Sequence, residues 1–192
     1  MRHAARVTVH FVTHPEVEVD PSVPVPEWGL SSAGRARLDR LLELPWTRTV
    51  DRVASSAERK ARQTADALAD IVGVEVLVDP DLGENDRSAT GFLPSEEFET
   101  VADAFFAHPE RSVRGWETAA AAQGRVVQAV DRLVGDEPDD DVVIVSHGAV
   151  GTLLLCRLAG VGIDRRHDQP GQGSWFSFDG RSRQLLHGWR RI

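Results

Sequence analysis

The chain has 192 residues, 41% hydrophobic and 27% charged, a composition that favours one compact domain with a substantial core. Its 22 basic and 30 acidic residues give a net charge of -8, which argues against nucleic acid or an anionic membrane as the main partner. The single cysteine excludes an internal disulfide, and no apolar run is typical of a signal peptide or a membrane span, so we expect a cytoplasmic protein.

The first predicted strand, residues 7–12, stops abruptly at Thr13-His14-Pro15. A histidine at the end of a buried strand, followed by a proline that breaks the strand, is typical of a functional edge in an open α/β sheet. The proline-rich loop that follows, up to residue 29, is a candidate wall of a site.

Helical and strand patterns then alternate. We predict a helix that opens within residues 30–34 with a serine as its N-cap, a short strand over 51–54 that ends at two serines, a helix over 58–72 and a strand over 74–78. A loop rich in charges and turn formers, 79–94, separates these elements from two further helices, one beginning at residue 95 and a long one ending near residue 134.

The strand predicted over residues 142–145 is apolar without alternation, which indicates burial on both faces in a parallel sheet. It ends at Ser146-His147-Gly148, and a helix over 148–159 follows. After a loop at 168–173, most simply a tight turn that could touch a substrate, residues 175–178 and 185–189 predict a hairpin. We therefore expect an α/β fold, a three-layer α/β/α sandwich around a mostly parallel sheet, as a single domain over 1–192.

Adjacent strands would bring four features together, namely His14, the segment 55–62, Glu84 and His147. A neutral imidazole can attack phosphorus covalently, and the amides at a helix N-terminus bind phosphate. A carboxylic acid with a raised pKa, here Glu84, could protonate the leaving oxygen, and His147, if protonated, would stabilise the non-bridging oxygens. This combination points to phosphoryl transfer.

The order of these motifs resembles the histidine phosphatase (phosphoglycerate mutase-like) superfamily over nearly the whole chain. The resemblance rests on the strand before His14, on SSAERKARQTA at 55–65, on LGE at 82–84 and on VSHG at 145–148. It implies a phosphoglycerate mutase-like fold and no metal or organic cofactor. It also implies that His14 is the nucleophile that becomes phosphohistidine, Glu84 the proton donor and His147 the second pocket histidine.

The motifs depart from the family pattern at both arginines. The family's Arg-His-Gly is replaced by a threonine, His14 and a proline, and the second family arginine aligns with Lys60. Lysine offers a point charge instead of a bidentate fork, and each lost interaction could slow turnover roughly tenfold to a hundredfold. Arg59 and Arg87 are the available replacements, and the candidate substrate-binding residues are Thr13, Arg59, Lys60, Arg87 and Gly148.

Several alternatives stay open at this point. Glu84 could be a solvated loop acid and Lys60 an exposed helix lysine. The chain could be a phosphatase, a catalytically weak or inactive relative that binds a phosphorylated ligand or protein, or, less favoured because nothing marks a second phosphate site, a mutase. We expect a small phosphorylated substrate and no nucleic-acid or membrane partner. The oligomeric state is left open, although the terminal hairpin could offer an edge for a dimer.

Overall fold

The computed structural model describes residues 6–136 and 138–192, and within them the chain alternates between strands and helices. The strands are β1 (Thr8–Thr13), β2 (Arg52–Ser55), β3 (Val76–Val78), β4 (Val142–Ser146), β5 (Ser174–Asp179) and β6 (Leu185–Arg191). The helices are α1 (Ser32–Leu42), α2 (Arg59–Val72), α3 (Ser95–Ala107), α4 (Ala119–Val134) and α5 (Gly148–Ala159). Short 3₁₀ turns interrupt the loops, among them Val25–Glu27 and Pro80–Leu82.

The strands form one mixed sheet in the order β3-β2-β4-β1-β5-β6. The pairs β3–β2, β2–β4 and β4–β1 are parallel, whereas β5 and β6 are added antiparallel as the C-terminal hairpin. The register pairs Thr13 with Ser146, so β1 and β4 end side by side. The α/β fold with a mostly parallel sheet is thereby confirmed, and this register is what positions the candidate site.

Helices cover both faces of the sheet, as the three-layer prediction requires. Phe11 and Ile144 belong to a core cluster with side chains of α3, α4 and α5, while Val12 and Val143 belong to a second cluster with side chains of α1 and α2. Successive strand residues point to opposite faces, so each central strand contributes to both clusters. All five residues of β4 are buried, which confirms the interpretation of its apolar run.

Local signals explain several element boundaries. Ser31 caps α1, because its Oγ accepts a hydrogen bond from Gly34 N at 3.1 Å. The helix α4 begins only at Ala119, after Arg114 and Gly115 take positive φ values of 53° and 81° that no α-helix accommodates. The strand β3 covers only the last three residues of the predicted 74–78. Among the residues that the structure describes, no helix is long and apolar enough to cross a membrane.

Candidate active site

Two histidines meet where β1 and β4 end. His14 directly follows β1 and His147 directly follows β4, and their ring centroids lie 5.2 Å apart at an interplanar angle of 66°. Both side chains are buried. The backbone N–H of His14 donates to Ser146 O at 3.2 Å, which continues the β1–β4 pairing one residue beyond the strand. The sequence-based expectation that the two imidazoles share one sheet edge is therefore what the structure shows.

The ring of His14 is held in one orientation by its neighbour. Its Nδ1 lies 2.8 Å from the carbonyl oxygen of Pro15, which can only accept, so Nδ1 carries the hydrogen and Nε2 keeps a free lone pair. Burial lowers the pKa of His14 to about 4; the Pro15 hydrogen bond opposes this shift and the positive charge of Lys60 adds to it. At neutral pH His14 is thus a neutral imidazole with an available nitrogen, the form that a nucleophile requires.

His147 is tied down at one nitrogen and free at the other. Its Nε2 lies 2.7 Å from Ser56 Oγ and 3.3 Å from Glu58 Oε1. Its Nδ1 is buried and has no hydrogen-bond partner among the described residues. Burial holds the pKa of His147 well below its usual value, although Glu58 opposes the shift, so the ring is neutral around pH 7. A buried nitrogen without a partner beside His14 is a natural contact point for a bound ligand.

Lys60 is not an exposed helix lysine. Its side chain is 4% exposed, forms an ion pair with Glu58 and donates to Val25 O at 3.1 Å in the proline-rich loop. Burial alone would raise the pKa of Glu58, but the adjacent His147 ring, the charge and hydrogen bond of Lys60 and the backbone N–H of Glu84 overcome it and hold that pKa at about 2. Glu58 is therefore ionised inside the site. Sequence reasoning missed it, although it stands two positions before Lys60 in a motif that had been singled out.

Glu84 is fixed against the N-terminus of α5 and is not a freely solvated loop acid. Its carboxylate accepts from Ala149 N at 3.3 Å and from Val150 N at 3.2 Å, two backbone donors that the first helical turn leaves free. Burial raises the pKa of Glu84, with a further contribution from the charge of Glu58, while Arg87 and the two amides oppose it. A raised pKa is what a general acid needs.

The two candidate replacement arginines lie in different places. Arg87 is half-buried, and its Cζ lies over the rings of Phe98 at 5.2 Å and Trp116 at 5.6 Å. Its positive charge lowers the pKa of both pocket histidines and of Glu84, so it lies within electrostatic range of all three. Within the described part of the chain, no carboxylate forms an ion pair with it.

Arg59, by contrast, is exposed and reaches back to Glu27 O in the proline-rich loop at 3.4 Å. Of the two arginines, Arg87 is therefore the one whose charge acts on the histidines, in addition to Lys60, and the predicted contact of Arg59 with substrate has no geometric support.

The remaining two predicted binding residues meet at Gln169. The hydroxyl of Thr13 donates to Gln169 Oε1 at 2.6 Å and accepts from Ser174 N at 3.0 Å, so it is engaged by protein groups. At Gly148, an added Cβ would come within 2.3 Å of Gln169 Nε2. A side chain at residue 148 would therefore displace the amide of Gln169, which packs directly on the backbone. The loop at 168–173 thus closes one side of the histidine pair.

Across residues 6–136 and 138–192, no group of three or more His, Cys, Asp and Glu side chains is arranged to hold a metal ion.

A buried pair of neutral histidines, a carboxylic acid with a raised pKa and an unpaired arginine at one edge of an α/β sheet have the construction of a phosphoryl-transfer site. The chain belongs to the histidine phosphatase superfamily (branch 1), whose family model matches residues 10–188. No curated protein sequence matches the chain.

Solved structures show the same fold. A mycobacterial glucosyl-3-phosphoglycerate phosphatase is 22% identical, with a TM-score of 0.74 and coverage of 97% of both chains. Its complex with inorganic phosphate gives 24% identity, a TM-score of 0.74 and coverage of 97% of this chain and 95% of that chain. Phosphoserine phosphatase from Entamoeba histolytica, in complex with 3-phosphoglyceric acid, is 17% identical, with a TM-score of 0.76 and coverage of 97% and 98%.

Proposed function

We propose that this chain is a phosphatase that hydrolyses a phosphomonoester or a similar phosphoryl substrate through a phosphohistidine on His14. The observation that carries the proposal is the contact of His14 Nδ1 with Pro15 O, because it leaves Nε2 as a free nucleophile beside the unpartnered Nδ1 of His147. Membership of the histidine phosphatase superfamily supports the same reaction.

In the first step His14 Nε2 attacks phosphorus, and the bond between phosphorus and the leaving oxygen breaks. Glu84, whose protonated form burial favours by raising its pKa, gives its proton to that oxygen. Arg87 and Lys60 stabilise the charge on the non-bridging oxygens, and Nδ1 of His147 donates a hydrogen bond to one of them. The products of this step are the free alcohol and phosphohistidine at residue 14.

In the second step water attacks the phosphorus of the phosphohistidine. The Glu84 carboxylate accepts the proton of that water, the bond between phosphorus and nitrogen breaks, and His14 Nε2 regains its lone pair. Phosphate leaves and Glu84 is again protonated. The reaction uses no metal or organic cofactor.

The substrate class that we propose is a small phosphorylated metabolite. Similar structures include phosphatases named for glucosyl-3-phosphoglycerate and for phosphoserine, and one such structure contains inorganic phosphate. An extended nucleic acid or membrane partner would be disfavoured by the net charge of -8. The cytoplasmic location and the single-domain organisation stay predictions.

One observation favours a second candidate, a weak or inactive relative that binds a phosphorylated ligand without turning it over. Lys60, which stands at the position of a family arginine, has much of its charge compensated by Glu58. The hydroxyl of Thr13 is also engaged by Gln169 and cannot replace the other arginine. In this alternative Arg87 alone would supply an unpaired positive charge, enough to attract an anion but weak as a transition-state clamp.

Two measurements distinguish the two candidate functions, namely hydrolysis of an aryl phosphate and trapping of a labelled phosphohistidine. We expect the purified protein to hydrolyse a generic aryl phosphate, and the His14→Ala variant to lose that activity. Rapid acid-free quenching with radiolabelled substrate should trap label on the wild-type protein that is stable in base and labile in acid, as expected for phosphohistidine, and none on the variant. Wild-type turnover no faster than that of His14→Ala, together with saturable phosphate binding, would instead establish the binding protein.

A further inference from the structure

Glu58 has no counterpart among the predicted site residues, yet a lysine, a backbone N–H and a histidine ring converge on its carboxylate. Lys60 Nζ forms an ion pair with Oε2, Glu84 N donates to Oε1 at 3.2 Å, and His147 Nε2 lies 3.3 Å from the same oxygen. The Glu58 side chain is 16% exposed, and it contacts both Lys60 and His147, whose ring centroid lies 5.2 Å from that of His14. A phosphoryl group bound between the two histidines would therefore lie close to the Glu58 carboxylate.

A carboxylate at this position favours anions that keep a proton over anions that are fully deprotonated. It has no hydrogen to donate, and it repels any fully deprotonated oxyanion held beside it by Lys60 and His147. A phosphoryl group that keeps one proton can donate that proton to the carboxylate in a charge-assisted hydrogen bond. The Glu58 carboxylate thus favours a phosphoryl group that keeps one proton and disfavours a fully deprotonated one.

The surroundings of Glu58 keep it in the accepting form. The charged and titratable groups that face it are His14 after β1, Lys60 in α2, Glu84 in the loop before α3, and His147 between β4 and α5. Lys60 is the cation among them, and its ion pair holds Glu58 ionised. Arg87, whose charge acts on the two histidines and Glu84, supplies the positive charge that Glu58 does not compensate.

We propose that Glu58 is a specificity-determining residue that accepts a hydrogen bond from a protonated phosphoryl oxygen. The pocket then selects the phosphoryl monoanion and rejects oxyanions without a proton, such as sulfate. This inference rests on the proposed function, because it places a phosphoryl group between His14 and His147. It implies that phosphomonoesters, whose second pKa is about 6, are bound best in mildly acidic solution.

The test compares inorganic phosphate with inorganic sulfate as direct ligands of the full-length protein, by calorimetry and by the NMR signals of the histidine rings. At pH 6 we expect the wild type to bind phosphate about 100-fold more tightly than sulfate, because a site that accepts a hydrogen bond rejects an analogue without the donor. In Glu58→Gln the amide can donate to either anion, so the preference should shrink to less than about tenfold, chiefly through tighter sulfate binding.

Glu75→Gln is the matched control, because it removes one negative charge from an exposed position in the strand region that precedes β3. It should retain the wild-type ratio of phosphate to sulfate affinity. A second readout is the pH dependence of phosphate binding, which should weaken as phosphate loses its second proton in the wild type and change less in Glu58→Gln.

The possible failures are distinguishable. If phosphate binds neither the wild type nor Glu58→Gln, the proposed function and the role of Glu58 are both refuted. Phosphate and sulfate that bind the wild type equally well overturn the role of Glu58 but leave a histidine phosphatase pocket. This wild-type comparison does not depend on the folding of any variant. An unchanged preference in a folded Glu58→Gln, verified by circular dichroism, also overturns the role of Glu58.

Discussion

Strand β1 contains one buried histidine near its middle, His10, and is followed directly by another, His14. The groups that surround the two rings differ. His10 stacks on Trp46 with ring centroids 4.1 Å apart, and its Nδ1 lies 2.7 Å from Ser177 Oγ. Burial lowers its pKa to about 4, with a small contribution from His187. The pKa of His14 is lowered to about 4 as well, again chiefly by burial.

What separates the two histidines is what faces each ring. Around His10 the neighbours are aromatic rings and a hydroxyl. The neutral imidazole is therefore explained by packing in the core alone. Around His14 the neighbours are Lys60, Glu58 and Arg87, with the second histidine beside it. A low histidine pKa by itself therefore reports only burial, and a site additionally needs charges and an unsatisfied nitrogen directed at one space.

The most direct way to break this comparison is to remove each histidine in turn. His14→Ala should lower kcat/KM for an aryl phosphate about 1,000-fold or more, since it removes the nucleophile. His10→Phe should retain activity but lose about 1–3 kcal/mol of stability, because the buried Ser177 hydroxyl is left without its partner. Steady-state kinetics and urea unfolding measure the two effects. A His10→Phe variant as inactive as His14→Ala would refute the division between the two histidines.

The carboxylic acid Glu84 lies in the region of His14 and, within the described residues, has no counterpart in the region of His10. Glu84→Gln should lower kcat about 100-fold or more, and the loss should be larger for alkyl than for aryl phosphates because the poorer leaving group needs the proton more. The kcat/KM of the wild type should fall as pH drops through about 4, where His14 becomes protonated, and as pH rises through the raised pKa of Glu84. Only the alkaline limb should disappear in the variant. Equal losses on both substrates would exclude Glu84 as the acid.

An arginine also lies over an aromatic ring near each of the two histidines, so the same substitution can be compared at the two arginines. Arg87 lies over Phe98 and Trp116 near His14, and Arg190 lies over Trp175 at 5.7 Å near His10. Arg87→Met should lower kcat/KM roughly tenfold to a hundredfold, because it removes a charge-assisted contact with the phosphoryl oxygens. Arg190→Met removes a similar stacking contact outside the pocket and should leave the rate near that of the wild type. Comparable rates for both variants would remove Arg87 from the site.

Lys60 gives a smaller expected effect, since Glu58 already compensates part of its charge. We expect Lys60→Ala to lower kcat/KM about tenfold and Lys60→Arg to preserve or raise it. Lys60→Ala should also lower the melting temperature, because Glu58 then loses the partner of a largely buried ion pair. An unchanged rate in a folded Lys60→Ala protein would mean that the family's arginine position has lost its role here.

The smallest test concerns acid stability and needs no substrate. The folded pKa of His10 is about 4 and its usual value is 6.5, so the unfolded chain binds more protons between these limits. Stability is therefore fully present above pH 6.5 and declines as the pH falls towards 4, by about 3 kcal/mol for His10 alone. Urea titrations of His10→Phe should show a shallower decline than the wild type. A decline of the same slope would place the acid sensitivity elsewhere.

Much of the fold could be predicted because the relevant signals are local. The apolar run of β4, the serine cap of α1 and both ends of α5 follow from a few adjacent residues, and the structure confirms each of them. The extent of β3 could not be predicted, since the alternation at 74–78 does not reveal that pairing with β2 begins only at Val76. Strand length depends on the partner strand and not on the pattern alone.

The same division holds for the candidate site. Sequence by itself determined that His14 and His147 follow buried strands, and parallel strands deliver their carboxyl ends to one edge of a sheet. Only the tertiary structure decided which charges surround them. Glu58 pairs with Lys60, and Gln169 engages the hydroxyl of Thr13. Arg87 lies over Phe98 and Trp116, where its charge acts on the histidines, while Arg59 turns to the proline-rich loop. Long polar side chains have many rotamers, and their partners come from distant parts of the chain, so only packing selects the direction in which each charge points.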